Sequence, residues 1–303
     1  MKETIKAGAL IFFIIFFFYL WLHIEEPQQH FQNLEQGEKK EDKTVTLTRQ
    51  TGEEVSLSMD AYLYGVIASE MPASFSMEAL KAQCVAARTY VIQRNYAVDD
   101  TTRTQVYHDD EQLKQIWGSS YSRYKRKIQR AIKETKNEIM TYHHKPISAL
   151  FYSSSCGRSA NAEEYWQHEV PYLKSVDSSW DQEVDSFESS LVMTEQEFAS
   201  ALGFQNPVSK ISKQTHYKSG YVKSITIDGI TFSGREVRER CQLRSSCFTI
   251  EKNQKGYKLT TKGYGHGVGM SQQGAQQLAQ KGWDYQKILH HYYTDIKIEQ
   301  MDV

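Results

Sequence analysis

The sequence has no surplus of charge of either sign: 36 Lys and Arg stand against 37 Asp and Glu, a formal net charge of −1. There is no basic field to attract nucleic acid and no acidic tail. The basic cluster Arg123, Lys125, Arg126 and Lys127, with Arg130 and Lys133 beyond, reads as the solvated face of a helix; contact with an anionic wall polymer is the alternative. No HExxH pair, no internal repeat and no second long apolar run are present. The glycines do not take the spacing of a nucleotide-binding turn. Cysteine is scarce, with four in 303 residues. Cys241 and Cys247 flank a short stretch and suit a local disulfide outside the cytoplasm, whereas Cys84 sits in an apolar helical stretch as a small core residue.

Apolar residues make up 40% of the chain, enough for the core of one large domain or two small ones. The first strong signal is the unbroken apolar run from Ala7 to Leu22, preceded by Lys2 and Lys6. No small-x-small cleavage site follows it, so residues 1–24 read as an uncleaved single-pass membrane anchor with the lysines inside. Residues 25–43, rich in Gln, Glu and Lys, read as a polar tether. The remainder, 44–303, reads as one extracytoplasmic region of mixed α/β (α+β) class with an active-site cleft, within which 187–262 looks like a subdomain.

Local patterns predict its elements. Val45, Leu47, Val55 and Leu57 suit strands, and Asp60 suits the cap of a helix through Ser69 that Pro72 stops. Helices are expected over 76–95 and 120–136, with strands over 138–142 and 147–152 around a turn at His144-Lys145-Pro146. An irregular polar-aromatic stretch over 157–187 suits a site-forming loop. Beyond it come a helix over 194–202, strands near 208–211 and 222–232, and a helix over 234–241. Strands near 247–250 and 257–261, two short helices and a final strand close the chain.

Several residues invite chemistry. Glu70 falls at the end of a helix, where the dipole and apolar neighbours such as Ile67 raise a carboxyl toward general-acid range; a surface glutamate is the plainer alternative. Lys81 and Arg88 lie on one face of the next helix and could hold a sugar acid, or simply pair with Glu78. Gly263, Gly265, Gly267 and Gly269 alternate around His266, then Ser271 offers an N-cap; the loop could approach a ligand closely or could merely be tight. Cys156 follows a strand in Ser153-Ser154-Ser155-Cys156-Gly157. It could be structural, a zinc ligand with His143, His144 or His168, or a nucleophile with His266 as base. The stretch from Pro171 to Asp181 mixes aromatic, cationic and acidic groups, as carbohydrate sites and many surface loops do.

Taken together, Ala68-Ser69-Glu70-Met71-Pro72, Leu80-Lys81-Ala82-Gln83, Ala86-Ala87-Arg88-Thr89-Tyr90 and Gly265-His266-Gly267-Val268-Gly269-Met270-Ser271-Gln272 resemble the two signatures of the stage II sporulation protein D family. The resemblance spans roughly 45–300. It implies a lytic transglycosylase of peptidoglycan, acting in engulfment of the forespore. Glu70 would be the catalytic acid, and Lys81, Arg88, Tyr172, Lys174, Asp181 and His266 substrate-binding or supporting residues. Glu70 would protonate the MurNAc–GlcNAc oxygen and then, as base, deprotonate the muramyl C6 hydroxyl to close a 1,6-anhydro ring, with no second carboxylate needed. Implied partners are glycan strands stripped of stem peptides, an amidase and membrane proteins of the engulfment complex. Some members bind zinc near the segment of Cys156; a second cysteine of that region is missing here, so no cofactor is expected. The competing readings are a non-catalytic amidase enhancer or wall-binding module, a hydrolytic muramidase using Asp177 or Asp181, and a cysteine peptidase using Cys156.

Overall fold

The computed structural model describes residues 43–101 and 104–301. The expected anchor and all but the last residue of the expected tether lie outside the described residues. Among the described residues no helix is long and apolar enough to cross a membrane. The class is mixed α/β, with helices interleaved among several small sheets.

β1 (Val45–Thr48) and β2 (Glu54–Leu57) form an antiparallel hairpin with Val45 opposite Leu57. α1 (Met59–Glu70) is capped by Ser58, whose hydroxyl accepts from the Ala61 N–H at 3.3 Å. Asp60, the cap expected from sequence, lies in the first turn, where its charge still suits the helix dipole. α2 (Met77–Gln93) is the core helix: from Ala79 to Ile92 only Lys81 escapes full burial. A helix apolar or small on every side must be surrounded. Around it pack α1, α4 (Tyr121–Glu134), β4 (Glu138–Tyr142) and the last two helices of the chain.

Between them run β3 (Ala97–Asp99), parallel to β1, and α3 (Asp110–Trp117), whose Asp109/Gln112 capping box escaped the sequence reading. β4 turns through His143 and His144, both left-handed at φ 49° and 62°, into β5 (Lys145–Pro146). The turn thus sits one residue earlier than its proline suggests. The strand expected over 147–152 contracts to β6 (Phe151–Tyr152), because its parallel partner is equally short. α5 (Ala162–Trp166) follows.

A second apolar cluster gathers β7 (Glu188–Met193), α6 (Glu195–Leu202), β8 (Ile211–His216), β9 (Val222–Ile227), β10 (Ile230–Ser233), α7 (Gly234–Arg240), β11 (Phe248–Asn253) and β12 (Gly256–Lys262). Phe198, Ile225, Ile227, Val237 and Leu259 are its centre. The single strand expected over 222–232 is a hairpin. Asp228-Gly229 turns it with φ 45° and 82°, the combination that an Asp-Gly pair tolerates in a tight hairpin turn. The chain then returns to the first cluster with β13 (Met270–Ser271), parallel to β6, and with α8 (Gln272–Gln280), α9 (Tyr285–Tyr292) and β14 (Lys297–Gln300), antiparallel to β4.

Candidate functional site

Glu70 is the last residue of α1, partly buried, with Met71 fully buried beside it. Its Oε1 accepts the Val106 N–H at 2.6 Å. Desolvation pushes its carboxyl up to about 7, while the bonds from Val106 and the Gln272 side chain pull the other way. Burial wins because two hydrogen bonds do not replace the water a carboxylate loses. No cation and no second carboxylate is among the groups that shift it.

Val106 reaches Glu70 because residues 105–108 form a strap across α1. The Tyr62 hydroxyl donates to Gln105 Oε1 at 2.6 Å, the Tyr107 ring stacks on Tyr62, and Ser69 Oγ lies 2.7 Å from His108 Nδ1. Gly65 makes the room. A Cβ there would stand 2.2 Å from the Tyr107 ring and 2.7 Å from the His108 carbonyl. Sequence reasoning missed the strap, although a glycine inside a helix usually signals close approach. Gly65→Ala is expected to lift the strap and break the Val106 bond. The helix gains about 1 kcal/mol of propensity and loses about 1–3 kcal/mol to overpacking. Lifting the strap readmits water and relaxes the burial that dominates the shift, so the Glu70 pKa should fall back toward 4.5 even though the Val106 bond is lost. Carboxyl titration by NMR checks the direction; an unmoved pKa would show that the strap does not govern Glu70.

On the other side stands α8. Ser271 caps it, accepting the Gly274 N–H at 3.0 Å. Ser271 Oγ in turn donates to Asp181 Oδ2 at 2.8 Å. That oxygen also accepts the Ser155 N–H at 2.6 Å and the Ser178 hydroxyl at 3.1 Å. Asp181 is fully buried, and desolvation holds its carboxyl above the usual range despite these donors. It therefore fixes the start of α8, where Gln272 leans toward Glu70 and lies 3.5 Å from Gln83. Gln83 Nε2 has no partner among the described residues. Of the residues singled out from sequence, Glu70 and Asp181 are linked, through Ser271 and Gln272. Gln272 stood in the second signature but drew no notice as a side chain.

The glycine loop packs rather than gapes. Gly267 and Gly269 are left-handed at φ 87° and 84°, and a Cβ would stand 2.4 Å from the Tyr221 ring or 2.0 Å from the Leu150 carbonyl, respectively. His266 sits among Tyr152, Tyr165 and Trp166, with ring centroids 5.3 to 5.7 Å away. Desolvation lowers its pKa to about 4, so the imidazole is neutral. Nδ1 accepts the Val268 N–H at 3.1 Å, which leaves the proton on Nε2, directed to the Phe151 backbone.

The other residues expected from sequence meet protein partners. Lys81 pairs with Glu78 at 2.9 Å and Glu134 at 2.6 Å, tying α2 to α4. Arg88 is 2% exposed and donates to the Glu138 carbonyl at 3.1 Å. The two cations thus do not converge on Glu70, because α2 turns that face toward α4 and β4. The Tyr172 hydroxyl accepts the Ser148 N–H at 3.1 Å, and Lys174 pairs with Glu169. Cys247 does not meet Cys241, which is buried in the second cluster; its thiol meets Cys156. His143 and His144 turn away with β4, His144 toward Glu299 at 3.2 Å. Among the described residues no three His, Cys, Asp or Glu side chains are placed to hold a metal.

A family profile described as stage II sporulation protein matches residues 47–142. Stage II sporulation protein D of Bacillus amyloliquefaciens is 40% identical over 262 residues, covering 82% of this chain and 76% of that protein. The chain belongs to the stage II sporulation protein D family. Its Bacillus subtilis (strain 168) member is 39% identical over 260 residues, with the same coverage. A second Bacillus subtilis protein, an amidase enhancer, is 32% identical over 291 residues, covering 76% of this chain and 39% of the enhancer. The sporulation protein profile takes in Glu70 and Val106 but stops short of Asp181 and Gln272.

Proposed function

We propose that this sporulation protein is a peptidoglycan lytic transglycosylase with Glu70 as acid and then base. The observation that carries the reading is a carboxyl with its pKa near 7 and no second carboxylate among the groups that shift it. Protonated near neutrality, Glu70 gives its proton to the MurNAc–GlcNAc oxygen. As charge develops at C1, the carboxylate left behind accepts the Val106 N–H and the Gln272 amide. It then takes the C6 hydroxyl proton, and the 1,6-anhydro ring closes. A hydrolytic muramidase is less well supported. Asp181 spends its charge on Ser155, Ser178 and Ser271, and Asp177 accepts the Ser179 hydroxyl at 3.1 Å. The cysteine peptidase fares worse: Cys156 is held protonated, chiefly by its bond with Cys247, and His266 has both nitrogens engaged.

Lys81, Arg88, Tyr172 and Lys174 act in this reading by holding elements, Asp181 by setting α8, and His266 by bracing the glycine loop. We place the protein at the membrane through residues 1–24, with glycan strands freed of stem peptides as substrate and an amidase and engulfment-complex membrane proteins as partners. The kinship with an amidase enhancer supports a second reading, stimulation of a peptide-stripping enzyme.

Digestion of peptide-free glycan strands decides between them. Anhydro ends by mass spectrometry are the expected product; reducing ends indicate a hydrolase, and no cleavage with amidase stimulation indicates an enhancer. Because the acid must be protonated, kcat/KM should fall about tenfold per pH unit above about 7. A rate flat from pH 6 to 9 would remove Glu70 as the proton donor.

A further inference from the structure

Cys156 and Cys247 come from distant parts of the sequence and hydrogen-bond through their thiols. One tight turn seats both sulfurs: Cys156 Sγ lies 3.6 Å from the Ser219 carbonyl and Cys247 Sγ 3.5 Å from the Gly220 carbonyl. Gly220 is left-handed at φ 95°, and even a Cβ there would touch Cys156 Sγ at 3.5 Å. Neither cysteine is fully buried, whereas Cys84 and Cys241 are. With no third ligand for a metal among the described residues, two adjoining thiols within reach of solvent have oxidation as their natural chemistry.

We propose that Cys156 and Cys247 are a redox-modifiable dithiol that closes to an intrachain disulfide by exchange with a low-molecular-weight disulfide. The hydrogen bond from Cys156 holds the Cys247 thiol below the ordinary range, with Lys262 adding to it, and Cys156 above. Cys247 is therefore the attacking thiolate. It displaces one thiol from oxidised glutathione and forms a mixed disulfide. Cys156 then gives its proton to solvent and attacks the Cys247 sulfur, releasing the second glutathione. Two protein thiols are oxidised and one disulfide is reduced to two thiols. The bond would tie the 153–158 loop to the start of β11. That loop carries the Ser155 N–H that holds Asp181, so oxidation would brace the support of α8.

The proposal does not rest on the catalytic reading, and Glu70→Gln should oxidise as readily as the wild type. The full chain, reduced and then equilibrated at rising ratios of oxidised to reduced glutathione, is acid-quenched, alkylated under denaturing conditions and digested. The expected product is a peptide pair joined through Cys156 and Cys247, with Cys84 and Cys241 still alkylated and no dimer on a non-reducing gel. The oxidised chain should melt about 5–10 °C higher, an increment that dithiothreitol removes. Cys156 and Cys247 remaining alkylated at every ratio, or a cross-link between Cys241 and Cys247, would overturn it. These outcomes are read on the wild-type chain and need no variant to fold.

Discussion

Glu70→Gln is expected to lower the rate of anhydro-end formation by about 10²–10⁴-fold and to make the protein more stable at alkaline pH. The two effects have one cause. Gln keeps the shape of the side chain and can still accept the Val106 N–H, but it cannot give or take the proton. Burial raises the folded-state pKa from 4.5 to about 7. The native state then holds its proton more tightly than the unfolded chain. Stability is therefore full below about 4.5, falls as pH rises through the window to about 7, and is level above it. The neutral variant escapes that loss. Its gain should be nil at pH 4 and on the order of 1–3 kcal/mol at pH 8, read as a shift of the urea midpoint. A variant that keeps its activity would end the transglycosylase reading. A gain equal at both pH values would show that the carboxyl is not desolvated.

Asp181→Ala is expected to cost about 3–5 kcal/mol, the scale for stripping a buried charge from its donors. Removal leaves the Ser155 N–H and the Ser178 and Ser271 hydroxyls without an acceptor in a dry site. Asp181→Asn should be milder. All three bonds converge on Oδ2, which an amide oxygen can replace, while Oδ1 has no partner among the described residues. Denaturation of both variants orders them. An alanine variant within about 1 kcal/mol of the asparagine variant would mean that the network does not anchor α8. Cleavage should fall in step, because the Gln272 side of Glu70 depends on that anchor.

Much of this was legible in the sequence. The helix end at Pro72, the Ser271 cap and the burial of Cys84 follow from local rules. Glu70 was visible as an acid at a helix end, and its company marked it. The rest lay in long-range contact. Lys81 and Arg88 share a face as the helical period requires, but periodicity does not say what that face meets, and here it meets Glu134 and the Glu138 carbonyl. The strap over α1 has no period and no motif; only Gly65 hinted at it. Cys241 lay nearer Cys247 along the chain, yet Cys156 lies beside it in space, because β11 returns toward the loop after β6.

The parallel pairing of β6 with β13 has a bearing on synthesis. Phe151 and Met270 meet only after the whole second cluster has been made. Such distant contacts are slow to close. A chain emerging from its N-terminus would complete α1, α2 and the strap while Gln272 is still unmade. Glu70 would then be present early but stand without the Gln272 side chain until α8 is made.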